Sequence, residues 1–267
     1  MAVEPITDLD DPRIAVYRSL KSTNLTRGLP HFVVEGEKLV QRLLDSRFPV
    51  ISILTTDRHA GRIAESLPVD LPLYVVPFDQ IHEIVGFPFH RGVLACGKRT
   101  AWPSCDEIVQ QAGTRSTLVV CPRVSNPENL GAITRIGDVL GIDAILVGPS
   151  CPDPFSRRVL RVSMGSVLRL PVIVVEQVED EVPHLLRRLG FELWAAVADH
   201  SALSFEKVSR PERLALLLGD EDRGVAPGWL QRSRRLITIP MRPGASSLNV
   251  SVAAGILLFH LTRPQDH

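Results

Sequence analysis

Thr117-Leu-Val-Val-Cys121 is followed by Asn126-Pro-Glu-Asn-Leu-Gly-Ala-Ile-Thr-Arg-Ile-Gly-Asp-Val-Leu-Gly141 and then by Ala144-Ile-Leu-Val147. An apolar run of strand length, a helix-length segment opened by asparagines suited to an N-cap, and a second apolar run describe one βαβ unit. Gly141 stands where a left-handed C-cap would end the helix. The alternation continues through Val172–Val175, Leu193–Val197, Leu214–Leu218 and Leu236–Ile239, with Gly190 as a second candidate C-cap. Near-continuous apolar strands separated by helices predict a parallel sheet covered on both faces. Ligands of such sheets bind beyond the carboxyl ends of the strands, so the loops after Cys121, Leu218 and Ile239 are the places for chemistry.

Upstream, shorter runs at Phe32–Val34, Val50–Leu54, Leu73–Val76 and Gly92–Cys96 alternate with helical patterns. Those patterns are the stripe Leu39, Val40, Leu43, Leu44 and the segments Ala60–Ser66 and Asp79–Val85. They predict a small α/β unit. Between Gly97 and Ser116 the apolar pattern is broken by Lys98, Arg99, Pro103, Asp106 and Glu107. The expected domains are therefore residues 1–105 and 106–267.

With 267 residues, 45% hydrophobic and 22% charged, the chain is globular and not disordered. Thirty basic residues balance thirty acidic ones, and the balance holds in each half, with 12 of each in residues 1–105 and 18 of each in 106–267. Neither half is a basic tail, and a nucleic-acid partner would have to be met with few phosphate contacts and a shallow salt dependence. Cys96, Cys105, Cys121 and Cys151 lack CxxC spacing, which argues against a zinc site or a disulfide framework and for a reduced, cytoplasmic protein. The start, Met1-Ala-Val-Glu-Pro5, has neither the charge nor the apolar run of a signal peptide. Val252–Phe259, the longest apolar stretch, is far shorter than the roughly 20 residues of a membrane span.

Each of the three loops has an ordinary reading. In the first, Asn126 or Asn129 can simply cap the helix that carries Arg135. In the second, Gly219-Asp-Glu-Asp-Arg-Gly224 can be a plain turn; it is neither a Walker A loop nor the dinucleotide GxGxxG. In the third, Ser247 or Asn249 can cap a closing helix whose small residues Ser251, Ala253, Ala254 and Gly255 imply close packing.

Taken together and in order, Asn-x-x-Asn-x-Gly-Ala-x-x-Arg, Leu-x-x-Gly-x-Glu-x-x-Gly, and Ile-Pro-Met followed by Ser-Leu-Asn-Val-Ser-x-Ala resemble the three motifs of the SpoU-type (TrmH-like) RNA ribose 2′-O-methyltransferases of the SPOUT superfamily. Asp153–Ser156 and Arg161–Ser166 resemble the family's connecting segment, and Phe32–Leu39 with His90–Val93 its N-terminal substrate-binding domain. The resemblance implies an α/β protein with a C-terminal trefoil-knotted parallel-sheet domain, an exception to the rule against threaded chains. A ribosomal-protein-like RNA-binding α/β domain would precede it. It further implies transfer of a methyl group from S-adenosyl-L-methionine to a ribose 2′-hydroxyl of structured RNA, ribosomal RNA being favoured over tRNA, by a homodimer that needs no metal and no membrane.

By position, the resemblance gives Arg135, Asn126, Glu221, Ser247 and Asn249 catalytic roles. Arg135 would anchor RNA phosphate and stabilise the developing alkoxide, often in the partner protomer's site, because a guanidinium is a poor base; base action by an unusual neutral arginine is the less favoured variant. Asn126 and Asn249 would position it and the ribose, and Glu221 would fix loop geometry or Arg135 rather than take the proton, although a carboxylate base stays open. Gly219, Ile239 and Leu248 would contact the methyl donor, with Met241 and Val250 nearby. Arg18, Lys21, Arg27, Lys38 and Arg91, together with Arg13 and His31, are the candidate RNA contacts of the first domain. Asp220 and Asp222 depart from the family pattern by adding negative charge beside an RNA site. Two other classes compete: a non-catalytic RNA-binding or ribosome-assembly factor, and a nucleotide-binding dehydrogenase, against which the missing glycine fingerprint argues.

Overall fold

Each apolar run read above as a strand forms one, with ends shifted by at most two residues, in a computed structural model that describes residues 3–18, 20, 28–65, 67–68, 70–86, 89, 92–242 and 244–263. The chain divides into two units, residues 1–101 with 155–169 and residues 102–154 with 170–267. Elements are numbered here in chain order.

The first unit holds strands Val3–Pro5 (β1), His31–Glu35 (β2), Val50–Thr56 (β3), Leu73–Val76 (β4) and Val93–Lys98 (β5), with helices Glu37–Leu44 (α1), Ala60–Glu65 (α2) and Ile81–Val85 (α3). Its sheet runs in the order β1-β4-β3-β5-β2, and β5 is antiparallel to both of its neighbours. The stripe seen in the sequence is the buried face of α1, where Leu39, Val40 and Leu43 are covered. Strand β1 is absent from the sequence reading because it is only three residues long and ends in Pro5, a residue that sheets accept at their edges.

Residues 155–169, which the sequence reading places within 106–267, group with this first unit. The cause is local chemistry. Phe155 packs on Phe32 and Phe48 at ring distances of 4.7 and 5.2 Å. Arg157, at the start of helix Arg157–Val162 (α6), donates from Nε and Nη2 to Glu35, which is only 5% exposed. A carboxylate so buried is costly without its cation, so the pair fixes the segment.

The second unit opens with Cys105–Ala112 (α4), whose start is set by a capping box between Ser104 and Glu107. Strands Ser116–Cys121 (β6), Ala144–Val147 (β7), Val172–Val174 (β8), Glu192–Ala196 (β9), Leu203–Ser204 (β10), Arg213–Leu217 (β11) and Arg235–Thr238 (β12) form one wholly parallel sheet in the order β10-β12-β9-β11-β6-β7-β8. Helices Pro127–Leu140 (α5), Val178–Arg188 (α7), Pro227–Arg232 (α8) and Val250–Thr262 (α9) lie among them, and α5 packs on α9. Gly141 and Gly190 have φ of +72° and +74°, the left-handed conformation expected of residues that stop helices. The chain first moves outward from β6 through β7 to β8, then returns to place β11 on the other side of β6. That reversal is a topological switch point, and it sets the loops after β6 and β11 side by side.

Among the described residues no helix is long and apolar enough to cross a membrane, and no group of His, Cys, Asp or Glu could hold a metal ion. The four cysteines are free, and burial pushes the Cys96 thiol up to about 12.

Candidate active site

Pro127 at the first helical position pre-sets α5, so the residue before it, Asn126, becomes the N-cap and accepts from the Glu128 amide at 2.8 Å. Asn129 is thereby placed one turn into the helix, where it is 6% exposed. A buried amide must find partners for both ends. Its Nδ2 donates to Glu221 Oε1 at 2.8 Å, and its Oδ1 accepts from Asn249 Nδ2 at 3.0 Å. Asn249 Oδ1 in turn caps α9, accepting from the Ser251 amide and hydroxyl at 2.9 and 2.7 Å. One hydrogen-bonded chain therefore joins the loops after β6, β11 and β12.

Glu221 is the hub. Oε2 accepts from the amide and hydroxyl of Ser125 at 3.1 and 3.0 Å, and Oε1 accepts from the Asn126 amide at 3.2 Å as well as from Asn129. Burial pushes its carboxyl up, but the hydrogen bonds from Asn129 and the backbone amides outweigh it and hold the group below its ordinary value. Its two oxygens are thus engaged by four donors that tie the second loop to the first.

Because the depressed group stabilises the fold above its unfolded-state value and loses that contribution as pH falls through its folded-state value, Glu221→Gln has a definite signature. The variant is expected to be about 1–3 kcal/mol less stable in urea melts at neutral pH, since an amide leaves some of these donors without acceptors. The deficit should stay constant down to about pH 5 and shrink in more acidic buffer, where the wild-type carboxyl also protonates. A deficit independent of pH would contradict this account.

The departures at Asp220 and Asp222 resolve differently. Asp220 Oδ1 accepts from the amides of Asp222 and Arg223 at 3.0 and 2.9 Å, Oδ2 pairs with Arg123 at 3.2 Å, and paired backbone bonds to Gly224 close the loop. Its charge is thus spent on the turn itself. Asp222 is exposed.

Behind this loop lies a cavity of about 500 Å³, within the usual range for small-molecule sites. Gly219, Ile239, Met241, Leu248 and Val250 all line it, as do Glu221, Ser247 and Asn249. Asn126 and Arg135 do not. Arg135 is exposed on α5 and makes no side-chain hydrogen bond or ion pair among the described residues. The small-residue run is explained only in part by crowding: Ala254 is fully buried and Ala253 lines the cavity, but a Cβ on Gly255 would meet Ile136 at an ordinary 3.5 Å.

In the first unit, Lys38 is exposed in the first turn of α1. Arg18 is engaged within the unit, by the carbonyl of Leu9 and by Asp10, and Arg13 by Glu4 and Asp11. Lys21, Arg27 and Arg91 lie outside the described residues. The sequence reading missed Asn129 as a site residue; the signal that could have found it was Pro127, which assigns capping to Asn126 and leaves the second asparagine a different task.

Residues 116–259 match the SpoU rRNA Methylase family. Over 99% of its length the chain is 36% identical to 93% of a Mycobacterium tuberculosis protein described as an uncharacterized tRNA/rRNA methyltransferase. It is 28% identical, over 86% of its length and 88% of the relative's, to the Bacillus subtilis 23S rRNA (guanosine(2553)-2′-O)-methyltransferase RlmP. In fold it resembles an AdoMet-bound rRNA methyltransferase from Sinorhizobium meliloti, with a TM-score of 0.78, 23% identity and 97% of each chain covered.

Proposed function

The chain belongs to the SpoU rRNA methylase family, and from that premise we propose that it transfers a methyl group from S-adenosyl-L-methionine to a ribose 2′-hydroxyl of structured RNA, ribosomal RNA in preference to tRNA. The observation that carries this reading is the Glu221–Asn129–Asn249 chain, which locks three strand-end loops around the cavity of about 500 Å³. The second unit, residues 102–154 with 170–267, would be the methyl-transfer domain, with its C-terminal strands and α9 in the family's trefoil knot, and the first unit the RNA-binding domain of a cytoplasmic enzyme.

The cavity fits the donor chemically. Ile239, Leu248, Val250 and Leu257 give it an apolar wall for a flat heterocycle, and the backbone around Gly219 and Ser247 offers polar groups to orient it. When bound, S-adenosyl-L-methionine supplies an electrophilic methyl on a sulfonium. The protein's own task is alignment of the ribose oxygen and stabilisation of the alkoxide that develops there. Asn249 and Ser247 would hold the ribose side of the cavity, Asn126 and Glu221 the loop behind it, and Arg135 the RNA phosphate and the alkoxide.

Arg135 would do so across a homodimer. Helix α9 is apolar around its whole circumference, a pattern of helices covered on all sides. Yet Val252, Ile256 and Phe259, at helical spacing, are 50%, 36% and 47% exposed, and Val139, one turn beyond Arg135 on α5, is 74% exposed. A second copy covering this face would bury the patch and bring Arg135 to the other protomer's cavity. Val252→Asp combined with Phe259→Glu is expected to convert a dimer to a monomer in sedimentation equilibrium, because two carboxylates would then face an apolar interface, and to abolish methyl transfer with it. A variant of unchanged mass would remove this face as the interface.

The activity is tested by incubating the protein with tritiated donor and ribosomal RNA, followed by alkaline hydrolysis. Label in alkali-resistant dinucleotides is the expected result. Label released as base-methylated mononucleotides, or none incorporated while RNA still binds, would favour base chemistry or an assembly factor instead.

A further inference from the structure

Arg187, Arg232 and Arg234, distant in sequence, line one cavity of about 320 Å³ together with Phe191, Glu192 and Leu193. It sits at the amino ends of β9 and β12, the opposite end of the sheet from the donor cavity. Local structure accounts for some of these cations. Arg187 lies in the last turn of α7, where a positive charge suits the helix carbonyls, and Arg232 donates to the Gly228 carbonyl at 2.8 Å. Nothing local accounts for Arg234, whose side chain has no hydrogen bond or ion pair among the described residues. The one acid lining the cavity, Glu192, already accepts from Trp194 Nε1 at 3.1 Å. Three cations against one anion leave a net charge of +2 in a chain whose total is zero.

We propose that this cavity is a second RNA contact, holding backbone phosphates that flank the reacting nucleotide. The inference rests on the RNA methyltransferase reading above. Planar guanidinium forks match phosphate oxygens two at a time. A protein partner is less well suited, because none of the strongly exposed apolar side chains that would anchor one belongs to this cavity. Phe191 marks one end of β9 and Ala196 the other, so the two cavities are about 15 Å apart at the rise of a strand, a span that folded RNA covers within a few nucleotides. Such a contact also supplies what the neutral composition withholds, a local electrostatic grip on RNA.

The test is the full-length triple variant Arg187→Gln, Arg232→Gln, Arg234→Gln, with Arg234→Glu as a single charge reversal. Filter binding to total ribosomal RNA across a potassium chloride series should give a log–log slope shallower by about 2, and about 100-fold weaker binding at 0.1 M salt, as loss of three phosphate contacts requires. Donor affinity by calorimetry, melting temperature and kcat at saturating RNA should match wild type, while KM for RNA rises. Wild-type slope and affinity in a variant that still melts and binds donor normally would overturn the site alone. A polyglutamate peptide that competes as well as RNA does would overturn it in favour of an acidic protein. Failure of the wild type itself to methylate or bind RNA would remove the underlying reading, and this inference with it.

Discussion

Arg135→Ala is expected to lower the rate of methyl transfer by about 10³-fold while leaving the dissociation constant for S-adenosyl-L-methionine within about twofold, since deleting one group that stabilises developing oxyanion charge costs about 10²–10³ and loss of an RNA anchor adds to it. The separation follows from geometry. Arg135 is exposed, does not line the cavity proposed for the donor and is not part of the Glu221 network, so its removal leaves the folded protomer intact. Arg135→Lys should recover little, because an ammonium keeps the charge but not the fork. If the residue serves the partner's cavity, two inactive variants should complement each other. Mixing Arg135→Ala with Gly219→Ala, after exchange of subunits, gives heterodimers in which one cavity is sound and receives its arginine from the other chain, restoring about a quarter of wild-type activity on random pairing in a two-fold dimer. Complete absence of complementation in a mixture shown to exchange would place Arg135 in its own protomer's site. Loss of donor binding in Arg135→Ala would remove it from the transfer step altogether.

The loops around the cavity are legible in the sequence because each follows an apolar strand, and near-continuous apolar runs of strand length between helix-length segments are a strong local signal. What is missing depends on contacts that no local pattern encodes. Strand β5 gives no hint in its residues that it runs antiparallel to β2 and β3. The return of residues 155–169 to the first unit depends on Phe155 and Arg157 meeting Phe32, Phe48 and Glu35 more than a hundred residues away in the chain. The basic cavity is invisible for the same reason: Arg187 and Arg234 converge only because β9 and β12 are neighbours. Asp220 shows the converse, a charge that looks misplaced beside an RNA site until its turn and its pairing with Arg123 are seen.

Gly219→Ala should weaken donor binding by about 100-fold in calorimetry, because overpacking in a close-packed region forces backbone shifts costing about 1–3 kcal/mol, the upper end of which is about 100-fold, and here the shift falls on the loop that forms the cavity. A Cβ at Gly219 would stand 2.4 Å from the Gly224 carbonyl carbon and 2.7 Å from both the Gly224 oxygen and the Val225 nitrogen. Every one of those atoms is backbone, so no side chain can swing aside. The strand before it cannot yield, since Leu214–Leu217 are fully buried between β6 and β9. Displacement must therefore go into residues 220–225, breaking the paired bonds between Asp220 and Gly224 and pulling Glu221 off Ser125, Asn126 and Asn129. With Glu221 withdrawn, Asn129 no longer holds Asn249 in register, and the third loop loosens too. Gly255→Ala is the control: its Cβ would meet Ile136 at 3.5 Å, so the monomeric fold accepts it. If Gly219→Ala binds donor as wild type does, the cavity behind the loop is not the donor site, and the assignment of Ile239, Met241, Leu248 and Val250 falls with it.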